Sequence, residues 1–451
     1  MGALFGTDGV RGIANIELTP EMAFDLGRAG SFVLARQQGE SRPRIMVGRD
    51  TRVSGDMLEA ALIAGICATG ADVLTLGIIP TPAVAYLTQQ YQASCGIVIS
   101  ASHNPVQDNG IKFFGSNGYK LPDEIEDEIE KLVLKGTQDL PRPQGDEVGR
   151  VYHVEEALNR YISFIENCYG EKSDLSNLTI VVDCANGASY QAAPRLWRRL
   201  GARIVPINDQ PNGININDRC GSTYTEGLKR AVIEYKADLG IAYDGDADRC
   251  IAVDERGNEL DGDYIMAICA LDMQRQGRMN QAGIVATVMS NIGLDIALRR
   301  ENVPIHYCKV GDRYVLEKMM ETGALLGGEQ SGHIIFREYA TTGDGLLSSL
   351  KLVEVMQRTG LALSELSQEM EKFPQILVNV RIDEKESVLA HSLVLEAIQA
   401  AEERLGEWGK LVVRPSGTEP LLRIMAQGPE HHILEEVVGE ICSAIEQVQT
   451  S

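Results

Sequence analysis

Several things are scarce in this chain, and each scarcity excludes something. No apolar run approaches the roughly 18 residues needed to cross a bilayer, which argues against a membrane-spanning helix. Positive charge is in deficit: 42 Lys and Arg face 64 Asp and Glu, a formal net charge of −22. That balance favours solubility and argues against a broad nucleic-acid surface, which needs clustered Lys and Arg. An anionic substrate would therefore need a local basic pocket. The nine cysteines include no Cys-x-x-Cys pair, so no zinc site is expected. Their scattered, odd count fits free and mostly buried thiols in a reducing cytoplasm. The amino terminus has no basic segment followed by an apolar core, so no secretory signal is expected. Gly6 stands where a myristoylation pattern after Gly2 wants Ser or Thr.

What remains is an ordinary globular composition, 44% hydrophobic, 24% charged and 5% aromatic. A length of 451 residues suggests three or four domains. Arg44–Asp50 reads as strand and loop, Met57–Ala68 as helix, and Val73–Leu76 as strand again. The same order of strand, polar loop, helix, turn and strand recurs from Leu178 to Pro206 and from Gly283 to Ile305. Strands alternating with helices imply βαβ units and largely parallel sheets. Linkers are expected at Pro141–Asp146, at Asp254–Gly257 and between Gly360 and Pro374, where Pro, Gly and charge concentrate. Beyond them Ile376–Ile382 alternates with period two, a helix is expected from about Lys385 to about Arg404, Lys410–Val413 is a strand, and His432–Val448 is helical. The fold class expected is α/β: three related α/β domains with mixed, largely parallel sheets plus a C-terminal α+β domain. The units are 1–150, 151–254, 255–368 and 369–451.

Four stretches carry chemistry. Gly96-Ile97-Val98-Ile99-Ser100-Ala101-Ser102-His103-Asn104-Pro105 is an apolar run breaking into two hydroxyls, an imidazole and an Asn-Pro turn, which places Ser102 at the carboxyl end of a buried strand. In an open α/β sheet ligands bind there; a loop whose hydroxyls only satisfy backbone amides is the plainer alternative. Asp244-Gly245-Asp246-Ala247-Asp248-Arg249 has three carboxylates at alternate positions, whose repulsion a cation would offset. Oxygen ligands alone point to Mg²⁺, Ca²⁺ or Mn²⁺. A calcium EF-hand is disfavoured because Arg249 occupies the position that needs Gly and the flanks read as strands, so Mg²⁺ suits the loop better. Gly327-Gly328-Glu329-Gln330-Ser331-Gly332-His333 could bring Glu329, Ser331 and His333 to sugar hydroxyls, although a plain turn explains it equally well. Arg414-Pro415-Ser416-Gly417-Thr418-Glu419-Pro420-Leu421-Leu422-Arg423 reads as a loop bracketed by two arginines and suited to an anion; it lacks the ending of a Walker loop.

Together, and in this order, these stretches closely resemble the α-D-phosphohexomutase superfamily, whose branches act on glucose, mannose and glucosamine phosphates. The likeness covers nearly the whole chain. It is carried also by Phe5-Gly6-Thr7-Asp8-Gly9-Val10-Arg11-Gly12, Asn217-Asp218-Arg219-Cys220-Gly221-Ser222-Thr223 and Thr342-Gly343-Asp344-Gly345-Leu346. It is greatest to the bacterial glucosamine-phosphate branch; at the position of Gln330 the mannose-type members more often carry Met. Val106-Gln107 departs mildly from the aromatic or acidic residues frequent there and touches no catalytic position.

The resemblance implies that the fourth unit is similar to the TATA-binding-protein domain and that the site lies in a central cleft. It implies that Ser102 rather than Ser100 is the phosphoserine, and that one Mg²⁺ per chain is held by Asp244, Asp246, Asp248 and the group on Ser102. It also implies a glucosamine 1,6-bisphosphate that serves as intermediate and activator. Lys112 and His333 are candidates for proton transfer or charge stabilisation. Arg11 is a candidate for contacting the phosphoserine and Arg249 for orienting the metal loop or phosphate. Glu329, Ser331 and His333 would hold the sugar, and Arg414, Ser416, Gly417, Thr418 and Arg423 its distal phosphate. The expected activity interconverts glucosamine 6-phosphate and glucosamine 1-phosphate in amino-sugar and cell-wall precursor synthesis, with mannose or glucose phosphates as the alternative substrates. The partner expected is a small phosphosugar, with no nucleic acid and no membrane, in the cytoplasm; the reading admits a homodimer. A metal-dependent phosphatase and a calcium-responsive binding protein are the competing classes.

Overall fold

Four sheets follow one another along the chain in the computed structural model, which describes residues 4–6, 8–39, 42–170, 174–382, 384–415 and 421–450. Ser416, Gly417 and Thr418 lie outside the described residues. The first sheet has seven strands in the order Phe5–Gly6, Gly9–Ile13, Asp108–Gly115, Cys95–Ile99, Arg44–Arg49, Asp72–Ile78, Val151–His153. Its centre is parallel, as the βαβ pattern requires, and Cys95–Ile99 is buried at every residue because helices cover both faces. The second sheet runs Glu259–Leu260, Cys250–Asp254, Leu239–Tyr243, Thr179–Asp183, Arg203–Ile207. The third runs Ile305–Cys308, Ile284–Thr287, Leu326–Gly328, Ile334–Phe336. The fourth, antiparallel sheet runs Gln375–Arg381, Leu421–Gln427, Lys410–Pro415, with the helices Ser392–Leu405 and His431–Thr450 beside it. No helix among the described residues is long and apolar enough to cross a membrane.

Three expectations change. Val151–His153 pairs in parallel with Asp72–Ile78, so the first sheet extends past residue 150 to cover an otherwise open edge. The glycine-containing segment after Asp254 is a hairpin turn rather than a linker: Glu259–Leu260 pairs with Cys250–Asp254, and the Asp254 carboxylate accepts the amides of Arg256 and Asn258. Turn chemistry looks alike in both settings, and only the partner strand separates them. The helix expected from Lys385 to Arg404 is two, Lys385–Leu389 and Ser392–Leu405, because His391 turns extended and accepts the Leu393 amide at 3.3 Å as a cap.

One apolar core runs from the first sheet through the third, taking in Met46, Phe114, Trp197, Leu271 and Leu350. The fourth sheet has its own core around Val394, Ile424 and Ile441. The first three units therefore pack as one body, and polar ties join the fourth to it. Gln427 Oε1 accepts the Ile292 amide at 2.7 Å, Asn291 holds both backbone groups of Phe373 at 3.0 Å, and Lys410 Nζ donates to the Ser290 carbonyl at 2.8 Å. Between the second and third sheets and the segment entering the fourth lies a cavity of about 810 Å³, lined among others by Ser222, Arg249, Gln330, Ser331 and Lys372.

Candidate active site

Strand Cys95–Ile99 ends at the carboxyl edge of the first sheet, and the chain turns at once through Ser100 and Ser102. Ser102 is buried and left-handed, with φ +51°, a conformation that costs a side chain of this kind energy and must be held from outside. Arg52 Nη2 donates to the Ser102 carbonyl at 3.2 Å and the Asn104 carbonyl at 2.6 Å, and Asn217 Nδ2 donates to the same two at 2.9 and 3.1 Å. The two serines differ in what they face. Ser100 Oγ donates to Asp50 at 2.6 Å and accepts the Ser102 amide at 2.9 Å, so it serves the turn. Ser102 Oγ points away, donating to Asp244 Oδ2 at 2.6 Å, with His103 Nδ1 at 3.4 Å. Burial and the charges of Arg249 and Arg11 push the His103 imidazole down to about 4, so it is neutral at physiological pH.

The acidic loop joins two antiparallel strands, Leu239–Tyr243 and Cys250–Asp254, which rules out the helix–loop–helix of an EF-hand. Asp244, Asp246 and Asp248 are all buried and present oxygens within 4.8 Å of one another. Asp246 Oδ1 and Asp248 Oδ1 have no hydrogen-bond partner. Burial, then the charges of Asp248 and Asp246, hold Asp244 well above the usual carboxylate range. Buried carboxylates with idle oxygens converging on one point can coordinate a divalent cation such as Mg²⁺. Gly245 is needed for the approach of this loop to the serine turn, since a Cβ there would stand 2.4 Å from the Ser102 carbonyl oxygen.

Cations close in from the other sheets. Lys112, on strand Asp108–Gly115, reaches Asp246 Oδ2 at 3.0 Å and Asp8 Oδ2 at 2.9 Å. Burial opposes its charge, but Asp246, Asp8 and Asp248 outweigh it and keep it an ammonium. Asp8 also pairs with Arg11 and Lys120. His333, in the turn before strand Ile334–Phe336, has both ring nitrogens engaged: Nδ1 faces Asp248 Oδ2 at 3.4 Å and Nε2 accepts the Gly343 amide at 3.1 Å. A Cβ at Gly343 would lie 2.5 Å from the ring, so the imidazole is wedged in place. The Arg249 amide donates to Asp244 Oδ1 at 3.3 Å, and its side chain lines the large cavity.

Ser102, the three aspartates, Lys112, Arg11, Arg249 and His333 thus form one cluster drawn from three sheets. Glu329 and Ser331 border the cluster on the side of Arg249. Ser331 lines the 810 Å³ cavity with Gln330, whereas Glu329 Oε1 accepts the Gly311 amide at 2.9 Å. Arg414 and Arg423 lie on facing strands of the fourth sheet as register partners, on either side of residues 416–420. Burial, then the charge of Arg423, lowers the pKa of Arg414, an arrangement that an anion would relieve. Sequence reading missed Asp50, Arg52 and Asn217 in this cluster. The signal for the first two lay in Arg49-Asp50-Thr51-Arg52, at the carboxyl end of the strand next to the serine strand.

Family models for phosphoglucomutase/phosphomannomutase match the chain almost end to end: alpha/beta/alpha domain I at residues 2–140, domain II at 159–257, domain III at 261–373 and the C-terminal domain at 377–444. The chain is 71% identical over 449 residues to the phosphoglucosamine mutase of Syntrophomonas wolfei, covering 100% of both. It is 54% identical over 445 residues to that of Desulforamulus reducens, covering 99% of both. Among solved structures it superposes on a phosphoglucomutase/phosphomannomutase family protein from Burkholderia thailandensis with TM-score 0.81 at 24% identity, over 98% of this chain and 97% of that one. Aspergillus fumigatus N-acetylphosphoglucosamine mutase, in complex with GlcNAc-6P and magnesium, aligns with TM-score 0.66 at 18% identity over 98% and 95%.

Proposed function

The chain belongs to the phosphoglucomutase/phosphomannomutase family, and from that premise we propose that it interconverts glucosamine 6-phosphate and glucosamine 1-phosphate through a phosphorylated Ser102 and a 1,6-bisphosphate. The observation that carries this reading is the Ser102 hydroxyl 2.6 Å from Asp244, inside a cluster of three buried carboxylates. Full-length likeness to phosphoglucosamine mutases selects glucosamine over mannose or glucose.

In the forward direction the bond from Ser102 Oγ to phosphorus breaks as the sugar 1-oxygen bonds to the same phosphorus; the 1-hydroxyl proton passes, in net, to Ser102 Oγ, giving the bisphosphate and a free serine hydroxyl. The intermediate turns, Ser102 Oγ takes the 6-phosphoryl group back as its own proton passes, in net, to the sugar 6-oxygen, and glucosamine 1-phosphate leaves. Asp244, Asp246 and Asp248 would hold a divalent ion, which when bound supplies neutralisation of charge on the transferring group. The chain's own residues do the rest. Arg52 and Asn217 fix the serine turn so that the hydroxyl is aimed before substrate arrives. Lys112 stays an ammonium against Asp246, which suits it to stabilise developing negative charge on the transferring group. His333 positions Asp248 through Nδ1; its Nε2 is occupied by the Gly343 amide, so we assign it no proton transfer. Arg11 balances Asp8 beside the serine turn, and Arg249 stands between the acidic loop and the large cavity. Glu329 and Ser331 would receive ring hydroxyls in both orientations. Arg414 and Arg423, with Ser416, Gly417 and Thr418 of the sequence between them, would receive whichever phosphate is not reacting, because two neighbouring guanidinium groups recognise either one.

The test is peptide mapping by mass for a phosphoryl group on Ser102, followed by turnover of glucosamine, mannose and glucose 6-phosphates side by side. Preference for the amino sugar supports the reading. Preference for mannose, or stoichiometric release of inorganic phosphate, overturns it.

A further inference from the structure

Around the acidic loop the charges close into a ring. Asp246 holds Lys112 at 3.0 Å, Lys112 holds Asp8 at 2.9 Å, Asp8 pairs with Lys120, Lys120 pairs with Asp312, and His333 stands between Asp312 at 3.8 Å and Asp248 at 3.4 Å. Signs alternate from Asp246 to Asp312, and the circuit passes through three sheets. Asp8, Lys112 and Lys120 come from the first, Asp246 and Asp248 from the second, and Asp312 and His333 from the third. The two carboxylates that Lys120 pairs with, Asp8 and Asp312, lie outside both the acidic loop and the serine turn. Lys120 nonetheless carries one of the three cations on Asp8 and is the link by which the third sheet reaches that carboxylate.

We propose that Lys120 and Asp312 are positioning residues for phosphoryl transfer: by holding Asp8 across the junction of the first and third sheets, they keep Lys112 on the acidic loop. The proposal rests on the role given above to Lys112. Lys112 lies between two anions on a buried strand, so its ammonium settles where their pulls balance. Asp8, on the turn between strands Phe5–Gly6 and Gly9–Ile13, is kept from swinging toward Lys112 and Arg11 by its pairing with Lys120. With Lys120 gone, Asp8 has only those two cations to answer and draws Lys112 from Asp246. Docking of the two sheets does not itself depend on this pair. Arg313 Nη1 reaches Glu126 at 3.2 Å, its Nη2 donates to the Leu121 carbonyl at 3.1 Å, and Thr341 Oγ1 donates to the Gly118 carbonyl at 2.6 Å. The ring therefore makes placement of the ammonium conditional on the first and third sheets being together, while the neighbouring contacts supply the adhesion.

The experiment compares Lys120→Met, Asp312→Asn, their double variant, Lys120→Arg and Arg313→Met in the full chain with saturating Mg²⁺. Because misplacement of a reacting group by about 1 Å can cost roughly 10²-fold, Lys120→Met and Asp312→Asn are each expected to lower kcat about 10- to 100-fold with KM nearly unchanged. The double variant should be no worse than the poorer single one, and Lys120→Arg should recover part of the loss. Arg313→Met should lower the unfolding temperature and leave kcat in place. A crystal structure of Lys120→Met provides a readout independent of turnover, in which Lys112 Nζ no longer lies within hydrogen-bond distance of Asp246. Wild-type kcat in Lys120→Met, an unmoved Lys112 in its structure, or an equal loss of kcat in Arg313→Met overturns the proposal. Failure of the unaltered chain to turn over any hexose phosphate would instead overturn the proposed function, leaving the position of Lys112 in the variant as the test of the ring.

Discussion

Ser102 and Asp244 are separated by 142 positions in sequence, yet the serine hydroxyl donates to the aspartate at 2.6 Å. A short bond from a hydroxyl to a buried carboxylate that is already crowded by two others marks the place where an acceptor and a cation belong. Ser102→Ala keeps the turn, whose clamps hold the carbonyl and not the hydroxyl. It is expected to lower mutase turnover by at least about 10³-fold with little change in unfolding temperature, and to remove the phosphoryl mass increment from its peptide. Turnover within a factor of a few of the unaltered chain would dismiss Ser102 as the carrier.

Removal of divalent metal should stop turnover, and the same carboxylates should then become a liability. In the metal-free protein Asp244 keeps its proton to a higher pH than the unfolded chain does, because of burial and the charges of Asp248 and Asp246. The native state then binds more protons than the unfolded state above the ordinary carboxylate range, so stability falls as pH rises through that window. Asp244→Asn should flatten the fall and make the metal-free protein more stable near neutrality, while abolishing the stabilisation that Mg²⁺ confers. Thermal unfolding with and without chelator across pH reads both effects.

Arg52 is fully buried, paired with Asp50, and donates to two carbonyls of the serine turn. Arg52→Met leaves Asp50 buried without its cation, a loss of about 3–5 kcal/mol in denaturant unfolding. Asp50→Asn combined with Arg52→Met should be less destabilised than Arg52→Met alone, since the stranded charge is gone. Turnover should remain low in both, because the left-handed turn at Ser102 has lost its clamp.

Gly245→Ala is expected to act at the point where two sheets touch. A Cβ there would be 2.4 Å from the Ser102 carbonyl oxygen, so the acidic loop and the serine turn must separate. Because alignment is what suffers, kcat should fall roughly 10²-fold, with a smaller effect on stability. Loss of folding in place of loss of turnover would show that this contact supports the fold.

Lys410 joins the fourth sheet to the third, donating to the Ser290 carbonyl at 2.8 Å with its ammonium 4.2 Å from the centre of the Tyr307 ring. Burial pulls it down to about 8 from an ordinary 10.5, outweighing Asp263 and Asp295. Between those values the unfolded chain binds the proton and the native state does not, so stability should rise with pH from about 8 and level off near 10.5. Lys410→Met should remove that rise; comparison of the two stability profiles isolates on the order of 2 kcal/mol after the cation–π contact is allowed for.

Local chemistry was legible where neighbours in sequence are neighbours in space. The apolar run ending at Ser100, the alternating carboxylates at 244, 246 and 248, and the three βαβ patterns each depend on spacing within a few residues. Turns were less legible: the hairpin after Asp254 and the break at Ala390–His391 use the same residue types as linkers and helix interiors. That the two arginines at 414 and 423 are register partners was not legible, because pairing between strands leaves no local mark.

Read alone, the chain determines its class, the order of its units and the kinds of side chain available for the chemistry, since these follow from composition and short-range pattern. Folding decides which serine faces the carboxylates, that Arg52 and Asn217 hold its turn, and that Lys112 and His333 flank the same loop from different sheets. The physical reason is range. Propensity and hydrophobic period act over one turn or one strand, whereas the pull of Lys112 on Asp246 exists only once burial has brought together two side chains 134 positions apart and removed the water that would screen them.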